Sequence, residues 1–359
     1  MTKNELKELK IDKPDSKVYN AVKQSWDALS KPLDGLGDFE ALICRIGAIQ
    51  ERIIPCADNK TLVVFCADNG IVNEGVSQCG KEVTSLVAAS LGKGVSTANV
   101  MAKSAGVRVV PVDIGIDCED KIPGVIDRKV VRGTKSFLSE PAMSEEELLN
   151  AISCGIDIAK ELIYEGVDIL AAGEMGIGNT TSSSAVLCSL LEKDASLLTG
   201  RGAGLDDTGL EKKFNVIKTG LKKYVYLQEL SGFDRGYETL RCLGGLEIAG
   251  MTGLYIGAAI NHIPIVADGL ISLTAALLAE YLVPGAKDYV IASHNGRERG
   301  VALVLSELKL KAFINGNMAL GEGTGALMLF PLIDMALALY RDGIHFEEAG
   351  IAAYERYNR

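Results

Sequence analysis

The segment Val167-Asp-Ile-Leu-Ala-Ala-Gly-Glu-Met-Gly-Ile-Gly-Asn-Thr-Thr181 is the stretch of the chain that decides the fold, together with the apolar segment that follows it to Leu191. Its aliphatic beginning is typical of a buried strand, and its glycines are typical of a tight turn. We expect the Asn-Thr-Thr cluster to form the N-cap of a helix. The pattern therefore predicts a strand, a turn and a helix start.

The same turn also has the features of an anion site. The first backbone N–H groups of a helix have no partner within the helix, and they lie at the positive end of its dipole. Glycines at positions 173, 176 and 178 allow a phosphate to approach the backbone closely. Glu174 is a poor phosphate ligand and better suited to a hydroxyl group or a cationic ring. We interpret the turn as a site for a phosphorylated sugar, although such turns also serve as simple connections.

Four apolar segments end in a polar residue in the same way. These polar residues are Asp68, Glu174, Asp268 and Ser293. In a parallel sheet the carboxyl ends of the strands line one crevice, which is where ligands bind in open α/β folds. The sequence therefore predicts an α/β fold with a Rossmann-like parallel sheet flanked by helices.

Both ends of the chain have helical periodicity. One pair of helices is predicted between Asp15 and Ile54, and amphipathic segments are predicted over 331–340 and 346–357. Helices with an uncovered apolar face must pack elsewhere, so we expect the two termini to meet. This predicts a small helical domain from residues 1–57, a large nucleotide-binding α/β domain from 58–318, and a segment 319–359 that returns to the small domain.

Three further patterns concern secondary structure and phosphate binding. One long helix is predicted over about 83–105, and Ser144 with Glu147 matches a capping box at the start of another helix. A second glycine-rich turn carries Arg201 and precedes Lys212 and Lys213, which could meet a phosphate or simply remain solvated.

Composition limits the class of function. The 359 residues include 37 basic and 47 acidic side chains, giving a net charge of -10, which argues against a nucleic acid or an anionic membrane as the main partner. The N-terminus is charged, and no apolar run was expected to be long and charge-free enough to span a bilayer, so a cytoplasmic protein is predicted. The eight cysteines and three histidines have no metal-ligand spacing.

Taken together, these motifs resemble the nicotinate-nucleotide:dimethylbenzimidazole phosphoribosyltransferase family over nearly the whole chain. No single motif is specific, but their order and spacing are. The matching segments are Lys31-Pro32, Leu36-Gly37, Asp68-x-Gly70, Glu74-Gly75-Val76, Glu82-Val83-Thr84, 173–181, 202–207, Gly244-Gly245-x-Glu247, Asp268-Gly269, Ser293-His294 and 321–325.

The resemblance implies transfer of 5-phosphoribosyl from nicotinate mononucleotide to a benzimidazole-type base by a homodimer that needs no cofactor and no metal. Glu322 matches the family's proton acceptor. The candidate substrate-binding residues are Asp68, Ser77, Lys81, Glu174, Gly176, Gly178, Asn179, Thr180, Gly202, Lys213, Ser293 and Leu320.

The chain departs from the family pattern near the acceptor base. Gly80-Lys81 stands where the family usually has Pro-Gln, Ala319 stands where it usually has Arg, and 295–300 also differ. The acceptor could therefore be a phenol or another base rather than dimethylbenzimidazole. A lysine cannot accept a hydrogen bond from a ring N–H as an amide does, although Lys81 could also simply face solvent.

Two functions of other classes are the alternatives. A non-catalytic subunit of a heteromeric relative would not need Glu322, which is retained. A dinucleotide-dependent enzyme is disfavoured because the segment 173–178 lacks the G-x-G-x-x-G spacing and comes late in the chain.

Overall fold

Six parallel strands form the centre of the molecule, whose residues 1–356 are described by a computed structural model. Their order in the sheet is β3-β2-β1-β4-β5-β6. The strands are β1 Lys60–Ala67, β2 Val107–Gly115, β3 Ile126–Asp127, β4 Ile169–Met175, β5 Ile265–Ala267 and β6 Val290–Ala292. This is the strand order of a Rossmann-like fold, so the predicted fold class is confirmed.

Helices cover both faces of this sheet. They are α1 Lys3–Glu8, α2 Ser16–Ala28, α3 Asp38–Gln50, α4 Glu82–Gly92, α5 Thr97–Ala105, α6 Glu145–Tyr164, α7 Asn179–Leu191, α8 Ala195–Leu198, α9 Asp207–Lys223, α10 Gly232–Leu243, α11 Leu246–Ile260, α12 Leu270–Leu282, α13 Val301–Leu308, α14 Thr324–Asp342 and α15 Phe346–Ala349. Short 3₁₀ helices occupy Gly70–Glu74, Val225–Glu229 and Ala286–Tyr289.

Strand β1 is buried along its whole length because it packs on both sides. Val63, Phe65 and Ala67 belong to the core beneath α6, α7 and α10–α12. The alternate residues Leu62, Val64 and Cys66 belong to the core beneath α2–α5 and α14. The period of two is the normal alternation of a strand, and burial on both faces explains why its sequence is continuously apolar.

The two ends of the chain meet on the second of these faces. The rings of Trp26 in α2 and Tyr340 in α14 have centroids 5.1 Å apart. The Ser30 N–H donates to the carbonyl of Ile344 at 2.8 Å. These contacts join the termini, while the division into 1–57, 58–318 and 319–359 stays a prediction.

The structure corrects two predicted helices and confirms the start of a third. The helix expected over 83–105 is two helices, because α5 begins at its own capping box formed by Ser96 and Asn99. The helix expected over 346–357 is only α15, with residues 351–356 irregular and residue 357 outside the described part. The capping box of Ser144 and Glu147 at the start of α6 is confirmed.

Helix α14 is the one helix within residues 1–356 that has the length and apolar composition to cross a membrane. It meets this test by length and composition only, and α14 carries Asp334, Arg341 and Asp342. Its most apolar window has a mean hydropathy of 1.3, and 56% of that window is buried inside the protein. A core helix of a folded domain has the same properties.

Candidate active site

The site lies where the strand order reverses, between β1 and β4. After β1 the chain crosses one face of the sheet, and after β4 it crosses the other face. This divergence opens a crevice between the carboxyl ends of the two strands. Asp68 follows β1, and Glu174 is the second-last residue of β4. Asp268 and Ser293 follow β5 and β6 at the same edge. The sheet therefore brings the four predicted strand-end residues to one edge.

The turn from β4 into α7 differs from the predicted cap. The N-cap is Gly178, in a left-handed conformation with φ +95°, and no side chain caps the helix. Asn179 is instead the first helical residue, and its side-chain amide donates a hydrogen bond to Glu174. The N–H groups of Asn179 and Thr181 donate to the carbonyls of Gly176 and Gly178, so within the described residues the N–H of Thr180 is the one in this first turn that remains for an anion.

A buried polar network supports this turn from below. A Cβ on Gly176 would lie 2.6 Å from the carbonyl of Ala67 and 2.8 Å from Oε1 of Glu247. Asn69 Nδ2 donates to that oxygen at 2.7 Å, and the Ser182 hydroxyl donates to Asn69 Oδ1 at 2.9 Å. Gly176 is therefore required by packing whether or not a phosphate binds.

Sequence reasoning did not assign a role to this network. A usable signal was present, because Glu247 is the only charged residue of the apolar helix α11 and is fully buried. Burial raises the pKa of Glu247 to about 7.

Lys213 lies fully buried beside this turn and is a candidate to bind an anion. Its side chain is fully buried, and its ammonium donates to Thr180 Oγ1 at 2.7 Å. No carboxylate within residues 1–356 lies within 4.0 Å of it. A Cβ on Gly202 would lie 3.4 Å from Lys213 Nζ and 2.9 Å from Thr180 Oγ1, so the second glycine-rich turn passes directly over the pair.

Such a lysine is energetically costly without an anion. Burial alone lowers the pKa of Lys213 to about 8, because the charged form has lost its water. A phosphate in contact with Nζ would replace that lost stabilisation with a charge-assisted hydrogen bond. The sequence leaves two interpretations of these lysines, contact with a phosphate or simple solvation. Solvation does not apply to Lys213, which is buried, whereas Lys212 is exposed.

Two hollows lie next to each other beside this group. The larger, of about 460 Å³, is lined by Gly202, Arg297 and Arg299 among others. The smaller, of about 20 Å³, is lined by Glu174 and Leu320 among others. Both are lined by Glu298 and Ala319. Glu298 and Ala319 therefore lie between the hollow at the second glycine-rich turn and the hollow at Glu174.

Glu174 is a buried carboxyl group whose pKa lies well above its usual range. Burial raises its pKa to about 8, and the negative charges of Glu247 and Asp268 act in the same direction. A protonated carboxyl can donate as well as accept a hydrogen bond. This suits a sugar hydroxyl, as predicted, better than it suits a phosphate.

Glu322 lies on a turn of unusual conformation. Gly321, Glu322 and Gly323 have φ values of +87°, +56° and +80°, all in the left-handed region. For a residue with a side chain this conformation costs about 1–2 kcal/mol. Glu322 Oε2 accepts a hydrogen bond from the N–H of Ala98 at 3.2 Å, in the first turn of α5. Glu322 precedes α14 in the chain, but its carboxylate is thus bonded to α5.

Lys81 belongs to a second group across the crevice. Its ammonium pairs with Asp117, whose N–H donates to Asp68 Oδ2 at 2.8 Å. Hydrogen bonding to Asp117 raises the pKa of Lys81. Ser77 accepts a hydrogen bond from the N–H of Cys79 at 3.2 Å within the preceding loop.

This group is tied to the phosphate turn by one main-chain contact. The N–H of Ile177 donates to the hydroxyl of Thr84 in α4 at 3.2 Å. Lys81 is the N-cap of the same helix. Sequence reasoning missed Asp117, which lies in a loop with no recognisable motif.

Ser293 faces the buried acid Asp268 rather than the open crevice. Its hydroxyl donates to the carbonyl of Asp268 at 3.2 Å and lies 2.9 Å from Nδ1 of His294. Burial raises the pKa of Asp268 to about 7 and lowers that of His294. Within residues 1–356, no three His, Cys, Asp or Glu side chains are grouped so as to hold a metal ion.

Comparison with known proteins matches this architecture. A family model described as "Phosphoribosyltransferase" matches residues 11–351. The chain is 42% identical over 334 residues to the nicotinate-nucleotide–dimethylbenzimidazole phosphoribosyltransferase of Acetivibrio thermocellus, covering 93% of this chain and 94% of the relative. It is 39% identical over 341 residues to the enzyme of the same name from Clostridium acetobutylicum, covering 95% and 96%.

A solved structure agrees. The crystal structure of CobT from Thermus thermophilus superposes with a TM-score of 0.88 at 34% identity, covering 94% of this chain and 99% of that one. The resemblance drawn from the motifs is therefore confirmed. With its fold, its glycine-rich turns and its full-length relatives in agreement, the chain belongs to the phosphoribosyltransferase family of which these nicotinate-nucleotide–dimethylbenzimidazole enzymes are members.

Proposed function

We propose that this protein transfers 5-phosphoribosyl from nicotinate mononucleotide to a lower-ligand base, 5,6-dimethylbenzimidazole or a relative of it. The products are α-ribazole 5'-phosphate and nicotinate, for assembly of the nucleotide loop of cobalamin. The single observation that carries the proposal is the fully buried Lys213, which has a hydroxyl partner and no carboxylate within the described residues. The names of the full-length relatives support the choice of substrates.

Different residues of the site are assigned to the phosphate and to the ribose of the nucleotide. The phosphate is assigned to Lys213, Thr180 and Gly202, with the main-chain N–H of Thr180 at the start of α7. The ribose is assigned to Glu174, whose protonated carboxyl suits a hydroxyl. The remaining candidates form the surroundings of these groups, namely Gly176, Asn179, Ser293 and Leu320 around the nucleotide and Asp68, Ser77 and Lys81 on the acceptor side.

Glu322 is assigned as the proton acceptor. A ring nitrogen of the base attacks C1' of the ribose, the bond from C1' to the nicotinate nitrogen breaks, and its electron pair leaves with nicotinate. Glu322 takes the proton of the attacking ring, so that no cationic product accumulates. The N–H of Ala98 keeps the carboxylate in place.

The direct test uses purified protein, nicotinate mononucleotide and a panel of benzimidazoles, purines and phenols. Release of nicotinate that depends on an added base, with formation of the matching α-ribotide, is the expected result. Release of nicotinate without a base, or no release with any member of the panel, would contradict the proposal.

The acceptor range is proposed to include phenols in addition to benzimidazoles, because Lys81 places a positive charge where the relatives' pattern has an amide. We expect Lys81→Gln to lower the ratio of kcat/KM for p-cresol to that for dimethylbenzimidazole by about two- to fivefold, since an exposed charge contributes up to about 1 kcal/mol. The side chain of Lys81 is 55% exposed.

A matched control for this substitution is Arg132→Gln. Arg132 also pairs with Asp117, at 3.0 Å, so its loss alters the same carboxylate without changing residue 81. If both variants shift the ratio equally, the effect belongs to Asp117. If Lys81→Gln leaves the ratio unmoved, Lys81 has no part in the choice of base.

A homodimer is proposed because apolar side chains remain exposed on two helices that pack together. Val100 on α5 is 67% exposed, and Met328 and Met335 on α14 are 47% and 62% exposed. Analytical ultracentrifugation is expected to show a dimer, and Met335→Lys is expected to shift it towards monomer by placing a charge in the contact. A monomeric parent protein would contradict the proposal.

The proposed place of the reaction is the cytoplasm. The phosphorylated donor and product carry charges that do not cross a bilayer unaided, so donor, enzyme and product belong in one compartment.

A further inference from the structure

The turn that carries Glu322 has no side-chain cap of its own. Helix α14 begins at Thr324 with Gly323 as its N-cap, and no side-chain hydrogen bond from the cap residue exists. Three consecutive left-handed residues precede it, and one of them, Glu322, has a side chain. Such a conformation persists only when surrounding contacts hold it. The contacts that hold this turn therefore decide where the Glu322 carboxylate lies.

Asp268 makes two of these contacts. Its Oδ2 accepts a hydrogen bond from the N–H of Gly323 at 3.2 Å, and its Oδ1 accepts one from the N–H of Gly325 at 2.6 Å. These are orphan N–H groups at the start of α14. The carboxylate of Asp268 thus supplies, from the end of β5, the cap that α14 lacks.

Asp268 is itself fixed from both sides. Its N–H donates to Ser272 Oγ at 3.2 Å, and its carbonyl accepts from Ser293 Oγ at 3.2 Å. The whole residue is only 4% exposed. The main chain of Asp268 is therefore fixed at the edge of the sheet, and its side chain joins that edge to the 321–325 turn.

The 321–325 turn is closely packed on two sides. A Cβ on Gly173 would lie 3.0 Å from the carbonyl of Glu322, and a Cβ on Gly325 would lie 2.0 Å from Nδ1 of His294. The turn is therefore pressed against β4 on one side and against the end of β6 on the other. Loss of the Asp268 contacts would release its ends while leaving these walls in place.

We propose that Asp268 is a positioning residue that holds the 321–325 turn and thereby orients the Glu322 carboxylate towards the acceptor base. The inference rests on the proposed function, in which Glu322 accepts the proton. Asp268 needs no contact with the reacting atoms for this role, because both of its oxygens are already bonded to the turn.

The primary test is Asp268→Asn. An amide has one acceptor oxygen and one donor nitrogen, so it can retain only one of the two hydrogen bonds. We expect kcat to fall by about 10- to 100-fold, because small misplacements of a reacting group cost up to about 10²-fold. The dissociation constant for nicotinate mononucleotide, measured by calorimetry, is expected to stay within about threefold of the parent, since Lys213 and Thr180 are untouched.

A double-substitution cycle separates orientation from general damage. In a Glu322→Gln background, where there is no carboxylate to orient, Asp268→Asn is expected to cause no further fall in kcat. An equal fall in both backgrounds would show that Asp268 acts independently of Glu322 and would overturn the proposal. An unchanged kcat in the single variant would overturn it as well.

Glu280→Gln is the matched control. Glu280 Oε2 accepts from the N–H groups of Gly285 and Lys287 at 2.9 and 3.1 Å, so Glu280→Gln removes a carboxylate charge at the far end of α12 while its amide oxygen can keep both bonds. It is expected to retain the parent kcat. If Asp268→Asn does not fold, Ser272→Ala is the second variant, because it removes the partner of the Asp268 N–H and leaves both Asp268 oxygens in place; it also removes the Ser272 contacts with the Tyr255 hydroxyl and the Ala172 carbonyl.

The outcomes also separate this inference from the proposed function. Full turnover in Glu322→Gln would contradict the assignment of Glu322 itself. A large loss in Glu322→Gln with none in Asp268→Asn or Ser272→Ala would leave the assignment of Glu322 intact and contradict the positioning role alone.

Discussion

Glu322→Gln is expected to lower kcat with dimethylbenzimidazole by about 10²–10⁴-fold, the usual contribution of a general base. The amide has the same shape as the carboxylate and its oxygen can still accept the hydrogen bond from Ala98, so the turn should keep its conformation. Binding of nicotinate mononucleotide should be unchanged, because its phosphate is assigned to residues on α7 and α9. Steady-state kinetics and calorimetry on the same preparation measure both quantities.

A control for this variant is Glu298→Gln. Glu298 is a partly buried carboxyl that lines both hollows of the candidate site, and burial raises its pKa. If the proton acceptor is Glu322 alone, Glu298→Gln should lose far less turnover. A Glu322→Gln variant with parental kcat would remove Glu322 from the role assigned to it.

Lys213→Met is expected to weaken the binding of nicotinate mononucleotide by about 10- to 150-fold, since a hydrogen bond to a charged group contributes about 1.5–3 kcal/mol. Met keeps the length and apolar stem of the side chain but has no charge. Calorimetric titration of the folded variant measures the loss. The exposed neighbour provides the control, because Lys212→Met changes the same residue type one position earlier.

The same substitution should make the free protein more stable. The pKa of Lys213 is lowered from 10.5 to about 8 by burial, so below pH 8 the folded state bears the full cost of a buried charge. That cost is relieved as the pH rises from 8 to 10.5, where the unfolded chain still holds the proton and the folded chain does not. At about 1.4 kcal/mol per pKa unit, Lys213→Met should gain up to about 3 kcal/mol at pH 7.

This gain should shrink above pH 8 and be lost beyond 10.5. Denaturant unfolding at pH 7 and at pH 10 would measure it. Weaker nucleotide binding together with higher stability is a combination that simple damage to the fold cannot produce. A variant that is both less stable and unimpaired in binding would show that Lys213 serves packing and not the phosphate.

The fold was predictable because its decisive signals are local. Aliphatic segments such as 61–67 and 167–172, each ending in a polar residue, mark buried parallel strands whose ends meet at one edge. The capping box at Ser144 marks a helix start in the same local way. The break between α4 and α5 has a comparable local signal, the second capping box at Ser96, which the prediction of one helix over 83–105 does not use.

The details of the site depend on contacts between distant segments. Glu174 and Asn179 were both singled out from the sequence, but their mutual hydrogen bond depends on how α7 begins. The burial of Lys213 depends on the glycine-rich turn that passes over it. Without the position of that turn, the sequence does not distinguish the buried Lys213 from the exposed Lys212. Asp117 lies in an irregular loop, and Ala98 contributes only its main-chain N–H. Patterns in a single sequence give no signal for either kind of contact.

The hydrogen bond from Ala98 to Glu322 has a consequence for how this site can change over time. The donor is the main chain, so any residue small enough for this fully buried position supplies it, and only proline cannot. In proteins that evolve from this one, residue 98 can therefore be replaced by other small residues without loss of the hydrogen bond to Glu322. The catalytic geometry would be inherited through the path of the backbone rather than through the identity of that residue.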